Sequence, residues 1–198
     1  IRRQRQMCIR DRLENDASLS QALTLRGVIA QKRGDNTAAI EMTRRALAIN
    51  AEDPVALIVC GQAYRAIGDL QSSADSLRLA LQLDPGRHDT HLNLGLTLWS
   101  AGEHLRAGTY FKNVLLLESK TFQAHFYLGQ MHQENLEYPA AEQYFRDAVA
   151  LQPENSEARR LLGGILLVRG NLTAALEEFE QAILYSPRDS TLRLSAAR

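Results

Sequence analysis

Cysteine is scarce in this chain of 198 residues, and the chain has neither an excess of one charge nor a long apolar run. Its two cysteines, Cys8 and Cys60, are too few for a disulfide framework. Because 23 basic residues are balanced by 23 acidic ones, the charge does not indicate nucleic acid as a partner. A helix that crosses a membrane needs about 20 consecutive apolar residues, so the sequence predicts no membrane span.

Glycine, by contrast, recurs at a fixed interval. Five glycines lie 34 residues apart: Gly27, Gly61, Gly95, Gly129 and Gly163. Four of them are followed seven residues later by a second glycine: Gly34, Gly68, Gly102 and Gly170. A period of this length is the mark of a repeat architecture. The second set predicts the ends of helices, because glycine readily adopts the left-handed cap conformation.

Small and bulky residues recur in step with the first set of glycines. A small residue comes 12 positions after each of these glycines, and four positions later comes a bulky one in four of the five cases: Leu77, Phe111, Phe145 and Phe179. Thr43 is the exception. Apolar residues three and four positions apart indicate one buried face of a helix. We therefore expect two antiparallel helices per period, which cross closely at the glycine.

This arrangement of glycine, alanine and phenylalanine positions closely resembles the tetratricopeptide repeat family over residues 20–189. The resemblance implies an all-α fold, an α-solenoid of helix-turn-helix repeats wound into a right-handed superhelix. We predict five 34-residue units, at 20–53, 54–87, 88–121, 122–155 and 156–189. The family's aromatic residue in the middle of the first helix is kept only at Tyr64. Such units bury a continuous core once three or more are stacked.

Both ends of the sequence depart from the repeat. Residues 1–19 form an N-terminal segment, and its basic first 12 residues fit the period poorly. The string from Met7 to Arg12 looks like translated sequencing adapter, and the alternative is a partial helix from an upstream repeat. Residues 190–198 are predicted to be the start of a truncated sixth unit. We therefore expect a fragment of a longer repeat protein, and the localisation stays open between cytoplasm and periplasm.

The sequence contains no combination of residues that indicates catalysis. No glycine-rich phosphate loop or serine nucleophile elbow is recognisable. No carboxylate or cysteine lies at the spacing that would complete a tetrahedral metal site around the five histidines, which are His88, His91, His104, His125 and His132. We predict packing or surface roles for them, and a protein that is not an enzyme and has no cofactor.

In the family that the chain resembles, the first helix of each unit lines a concave face that binds a protein or peptide. The resemblance places eight candidate partner-binding residues on that face: Gln62, Arg65, Asn93, Trp99, Phe126, Tyr127, Gln130 and Gln133. Aromatic residues flanked by amides and an arginine are typical of binding hot spots. The alternative is that Trp99 and Phe126 pack neighbouring first helices together, and that the polar residues are simply solvated.

The first interpretation is therefore a non-catalytic scaffold for protein–protein interaction, which binds an extended peptide or a helix on its concave face. The alternative is the repeat arm of a larger enzyme, of the glycosyltransferase or sulfotransferase type, whose catalytic domain is missing. A nucleotide or sulfonate site encoded downstream would favour the second interpretation. The identity of the partner and the oligomeric state are open at this point.

Overall fold

Helices make up all the regular secondary structure in the part of the chain that the structure describes. This computed structural model describes the backbone of residues 2–186 and the side chains of residues 16–186. The ten helices in that part are α1 (Arg2–Lys32), α2 (Asn36–Ile49), α3 (Pro54–Ala66), α4 (Leu70–Leu83), α5 (His88–Ser100), α6 (His104–Leu117), α7 (Phe122–Glu134), α8 (Tyr138–Leu151), α9 (Ser156–Val168) and α10 (Leu172–Tyr185). The predicted all-α repeat fold is confirmed. Residues 190–198, predicted to start a sixth unit, lie outside the described residues.

The helices alternate as first and second members of helical hairpins. The first members α3, α5, α7 and α9 begin at residues 54, 88, 122 and 156, a constant interval of 34 residues. The chain divides between Glu103 and His104 into two compact bodies. The N-terminal body contains α1 to α5, and the C-terminal body contains α6 to α10. Helices that follow each other in sequence pack together within each body. The exact division into five units stays a prediction.

Helix α1 is more than twice as long as any other helix in the described residues. It runs without interruption through 31 residues, so residues 2–19 are continuous with the first helix of the first hairpin. No glycine or proline occurs between Arg2 and Arg26, and nothing in the backbone chemistry therefore ends the helix there. The C-terminal half of α1 makes a polar contact with its own hairpin partner, α2. Ser20 donates a hydrogen bond to the carbonyl of Ala46 at 3.1 Å.

The close helix crossings occur at the first glycine of the period, as the sequence predicted. A Cβ atom added to Gly61 would lie 2.7 Å from Cγ of Leu77, and one added to Gly129 would lie 2.7 Å from Cδ1 of Phe145. Carbon atoms in favourable contact are about 3.5–4.0 Å apart, so a side chain at either glycine would overlap its neighbour. Leu77 and Phe145 are fully buried. The bulky residue of the second helix therefore fills the space that the glycine leaves.

Every first helix described ends in the same kind of turn, but one turn lacks glycine. Four of the turns have a glycine with φ between 77° and 85°: Gly34, Gly68, Gly102 and Gly170. The fifth has Leu136 with φ 60°, the only non-glycine residue with positive φ in the described part of the chain. The N–H of Leu136 donates to the carbonyl of Gln133 at 3.0 Å, and that of Glu137 donates to the carbonyl of His132 at 2.8 Å. These two bonds form a Schellman cap, which leucine completes at a conformational cost of about 1–2 kcal/mol.

Three of the residues that follow these turns cap the second helices, whereas Glu137 does not. Asp35, Asp69 and Asn171 each accept a hydrogen bond from a backbone N–H three residues later, and so satisfy donors that the first turn of a helix leaves open. Hydrogen bonds from the side chain and backbone of Ser72 lower the pKa of Asp69. Glu137, at the equivalent position, makes no capping bond. Its carboxylate pairs with a histidine on α7, as described below.

Two side-chain contacts tie helices together inside the N-terminal body. Ser73 on α4 and Thr97 on α5 are buried, and their hydroxyl oxygens are 2.9 Å apart. The Thr97 hydroxyl also donates to the carbonyl of Asn93 at 2.9 Å. At the other end of the body, Asp53 caps the start of α3 and accepts a hydrogen bond from Thr24 of α1 at 2.7 Å. These contacts fix how each hairpin meets the next.

A buried carboxylate links two helices in the C-terminal body. Glu142 on α8 is 5% exposed, and among the described residues it is the only charged side chain that is buried. It forms ion pairs with Arg146, one turn later on α8, and with Arg169 at the end of α9. A buried charge is costly unless it is paired. The two arginines therefore make this carboxylate compatible with the core.

Candidate functional site

Four of the predicted partner-binding residues lie on the two neighbouring first helices of the N-terminal body. Gln62 and Arg65 are on α3, and Asn93 and Trp99 are on α5. All except Asn93 are half-buried. Asn93 is buried, and its side-chain amide donates a hydrogen bond to the carbonyl of Asp89 at 2.8 Å, within its own helix. This placement favours a packing role for Asn93.

The aromatic residues predicted to bind a partner pack against other rings of the C-terminal body. Phe126 on α7 is stacked on Phe122 with ring centroids 5.5 Å apart, and its edge meets the buried ring of Phe145 at 6.2 Å. Tyr127 is stacked on Phe111 of α6 at 5.3 Å. Both residues are half-buried. Their rings therefore join α6, α7 and α8.

A groove runs between α7 and α9 in the C-terminal body, and it contains two of the predicted residues. The α7–α9 groove has a volume of about 660 Å³. Its described lining comes from α7, the following turn, the start of α8, and α9: Gln130, Gln133, Glu134, Leu136, Tyr138, Gly164, Ile165 and Val168. This volume is within the range of about 300–1,000 Å³ that is usual for ligand sites. The site is therefore large enough to hold part of a peptide.

The middle of the groove is open because α9 has no side chain there. A Cβ atom added to Gly164 would meet no atom within 4 Å, in contrast to Gly163, which faces Phe179. Val168 and Leu136, which also line the groove, are 61% and 70% exposed. The groove thus combines an open floor with two exposed aliphatic side chains.

The polar side chains of the groove are mostly uncharged. Gln130 and Gln133 are half-buried, and in the described part of the chain their amides form no side-chain hydrogen bond. The carboxylate of Glu134 lies 2.6 Å from Nδ1 of His104 at the start of α6. Among the described residues that line the groove, none is basic. The groove therefore offers two amides, each of which can donate and accept hydrogen bonds.

The histidines of the C-terminal body have structural partners. His132 stacks on Tyr144 at 5.2 Å and pairs with the carboxylate of Glu137. His125 lies 6.0 Å from the same tyrosine ring and 3.7 Å from Asp147. Burial, together with the charge of Asp147, raises the pKa of Tyr144. Within the described residues, no three His, Cys, Asp or Glu side chains are grouped so that they could hold a metal ion.

Sequence reasoning identified part of the groove and missed the rest. Gln130 and Gln133 were predicted, whereas Leu136, Gly164 and Val168 were not. Two signals for the missed residues are present in the sequence. One is the glycine that is absent from position 136 of the period, and the other is the extra glycine that follows Gly163. Val168 has no comparable signal.

The comparison with protein families gives one match. The family described as "Tetratricopeptide repeat" matches residues 17–88 and 132–191. No curated protein shows significant sequence similarity to the chain. Among the described helices, none combines the length and apolar character that crossing a bilayer requires.

Solved structures with the same fold are numerous. PilF of Pseudomonas aeruginosa has a TM-score of 0.80 at 15% identity, over 92% of this chain and 89% of that one. MamA of Desulfovibrio magneticus RS-1, from residue 41 to its end, has a TM-score of 0.75 at 19% identity, over 88% and 97%. YrrB, described as a TPR protein with an unusual peptide-binding site, has a TM-score of 0.71 at 20% identity, over 86% and 88%. At these identities the likeness shows the fold alone.

Proposed function

This chain belongs to the tetratricopeptide repeat family, and from that premise we propose that it is a non-catalytic scaffold that binds a peptide or a helix. The binding surface is the face formed by the first helices of its hairpins, which is the concave face of the family. The candidate residues are those predicted from the sequence on α3, α5 and α7. The α7–α9 groove is the part of this surface that contributes most.

The observation that carries the proposal is the pair of glutamine amides in an open groove. Gln130 and Gln133 line the groove with no side-chain hydrogen bond to the described residues, and a Cβ atom added to Gly164 would meet none of the described atoms within 4 Å. A peptide backbone presents N–H donors and C=O acceptors, and a glutamine amide can pair with both. YrrB, which shares the fold, is described as having a peptide-binding site, and this supports the same use here.

Phe126 and Tyr127 contribute to the proposed site mainly by packing α7 against α6 and α8. Their rings are stacked on residues of the core, so each presents only part of its surface to a partner. Gln62, Arg65 and Trp99 are the proposed partner-binding residues of the N-terminal body. Asn93 is the weakest of the eight candidates, because it is buried and its amide is bonded within α5.

A steric block of the groove tests the proposal. A phage-displayed library of linear peptides is panned on the full chain, and a selected peptide is labelled with fluorescein for anisotropy titrations. Gly164→Leu places a side chain in the open groove, where a Cβ atom meets nothing within 4 Å, so the fold tolerates it. Overfilling a site costs about 1–3 kcal/mol, and we therefore expect the peptide affinity to fall roughly ten- to hundredfold.

The matched control is Gln181→Leu, which adds the same side chain at an exposed position of α10. It should leave the affinity unchanged, and circular dichroism should show that both variants remain helical. Gln133→Ala should weaken binding about two- to tenfold, as expected for one net hydrogen bond of about 0.5–1.5 kcal/mol. If no peptide binds the full chain, or if Gly164→Leu binds as well as the original, the groove is not the site.

A further inference from the structure

The turn at the end of α7 is the one place in the described chain where the backbone departs from what its residue prefers. Leu136 has φ 60°, although the four equivalent turns have glycine. Its cap hydrogen bonds are the same as theirs, so glycine would close this turn without strain. Burial does not explain the leucine, because its side chain is 70% exposed. Residues held at unfavourable φ often serve ligand sites.

The side chain of Leu136 forms part of the lining of the α7–α9 groove. Leu136 follows the last turn of α7, Val168 is the last residue of α9 and is 61% exposed, and both line the α7–α9 groove. Ile165, which is buried, lines the same groove. These three residues give the groove a small aliphatic patch, and the rest of its described lining is two glutamines, Glu134, Gly164 and the ring of Tyr138. A patch of this kind excludes charged groups and accepts a branched aliphatic side chain.

The charges around the groove also favour an uncharged ligand. Among the described residues that line it, none is basic, and its single carboxylate, Glu134, is held by His104. An acidic peptide would therefore find no cation in the groove. The glutamines beside the patch are suited to an uncharged backbone, since each amide both donates and accepts.

We propose that the α7–α9 groove binds an extended, uncharged peptide segment through one branched aliphatic side chain, which is held between Leu136 and Val168. Gln130 and Gln133 hydrogen-bond the peptide backbone next to that side chain, and Gly164 allows the backbone to approach α9 closely. Leu136 is the specificity-determining residue of the groove. This inference rests on the proposed function, because it names the class of partner for the same surface.

The test begins with the peptides selected by the full chain. Their sequences should share one leucine, isoleucine or valine flanked by uncharged residues. Replacing this residue of the labelled peptide by alanine should weaken binding about ten- to hundredfold, since the free energy gained by burying a large aliphatic side chain is then lost. Replacing a flanking residue by alanine should change the affinity far less. Selected peptides that share an acidic or basic residue instead would overturn the inference.

The protein variant Leu136→Gly separates binding from stability. It removes the aliphatic contact but relieves the positive φ, so the affinity should fall about tenfold while the midpoint of urea unfolding rises. A purely structural role cannot produce that combination. Leu136→Met should retain most of the affinity. The control Leu116→Ala removes an exposed leucine of α6, which does not line the groove, and should leave binding unchanged.

The outcomes distinguish this inference from the proposed function. If Gly164→Leu blocks peptide binding but Leu136→Gly binds as tightly as the original chain, the scaffold function stands and the aliphatic site is wrong. If Leu136→Gly weakens binding and also lowers the urea midpoint, the specific role of Leu136 is overturned. The inference is upheld if Leu136→Gly and the alanine peptide are non-additive in a double-mutant cycle.

Discussion

Two adjacent glycines of α9 provide a direct test of how the hairpins are packed. A Cβ atom at Gly163 would lie 2.8 Å, 3.0 Å and 3.1 Å from three ring atoms of Phe179, whereas one at Gly164 would meet nothing within 4 Å. Both residues are in the interior of the same helix, so alanine gains about 1 kcal/mol of helix propensity at either position. The two variants therefore differ almost entirely in the steric contact with Phe179.

The expected effects have opposite signs. Phe179 is 3% exposed and enclosed by other core residues, so its ring cannot easily move away from an added methyl group. Overpacking of this kind costs about 1–3 kcal/mol. After the gain in helix propensity of about 1 kcal/mol, Gly163→Ala should lower the free energy of unfolding by up to about 2 kcal/mol. Gly164→Ala should raise it by about 0.5–1 kcal/mol, because it meets no obstacle.

Thermal and urea unfolding of the two variants, followed by circular dichroism, measure the difference. For a chain of this size, 1 kcal/mol shifts Tm by about 2–4 °C. The two variants differ by the overpacking cost of about 1–3 kcal/mol, so their melting temperatures should be separated by roughly 2–12 °C, with the original chain between them. Phe179→Leu in the Gly163→Ala background should restore part of the loss, because it removes the ring atoms that the methyl group meets. Shifts of equal sign and size for the two alanine variants would refute the close crossing at Gly163.

Three other predictions concern individual side chains. Replacing Arg169 by methionine should lower the free energy of unfolding by about 1–2 kcal/mol. The loss should be smaller in the Glu142→Gln background, since only the charged carboxylate requires a cation. Urea unfolding of the four proteins in this double-mutant cycle measures the coupling between the two side chains. Burial raises the pKa of the Cys60 thiol, so in a Cys8→Ser variant it should react with a thiol reagent much more slowly when folded than in urea. Because the pKa of the Cys60 thiol is raised in the folded state, the protonated thiol contributes fully to stability below the pKa of the unfolded state. This contribution should be lost as the pH rises through the pKa of the folded state, and urea unfolding on the alkaline side of pH 8 measures the loss. Asp53→Ala should lower the free energy of unfolding by about 1–2 kcal/mol in urea titrations, because it removes the cap of α3, and an unchanged urea midpoint would contradict that role.

The helical hairpins and their crossings could be predicted because each follows from a local chemical requirement. A glycine such as Gly129 is needed where a ring such as Phe145 approaches the backbone, and a second glycine is needed where φ is positive. Both requirements leave a mark at a fixed interval in the sequence. The same reasoning could not predict the turn at Leu136, since leucine has no preference for that conformation and the surrounding hairpin imposes it.

The helix α1 shows a different limit. The sequence contains no glycine or proline before Gly27 that would end a helix, yet the repeat pattern separates residues 1–19 from the first unit. Because no residue there ends the helix, α1 is continuous through this boundary. The groove was predicted only in part, because it depends on residues of α7 and α9 that lie far apart in sequence. No local pattern in the sequence indicates that these residues meet.

The buried hydroxyl pair between α4 and α5 has a consequence for whether the repeats of this chain are interchangeable. Ser73 donates its proton to the Thr97 hydroxyl, because the Thr97 proton goes to the carbonyl of Asn93. The positions equivalent to Ser73 in the other periods are alanine. If the hairpin that contains Ser73 moved to another place in the array, the Ser73 hydroxyl would face an apolar neighbour, at a cost of about 1–3 kcal/mol. Recombination, duplication or deletion of single repeats is therefore penalised at this junction. The order of the hairpins is encoded here by chemistry as well as by the chain's connectivity.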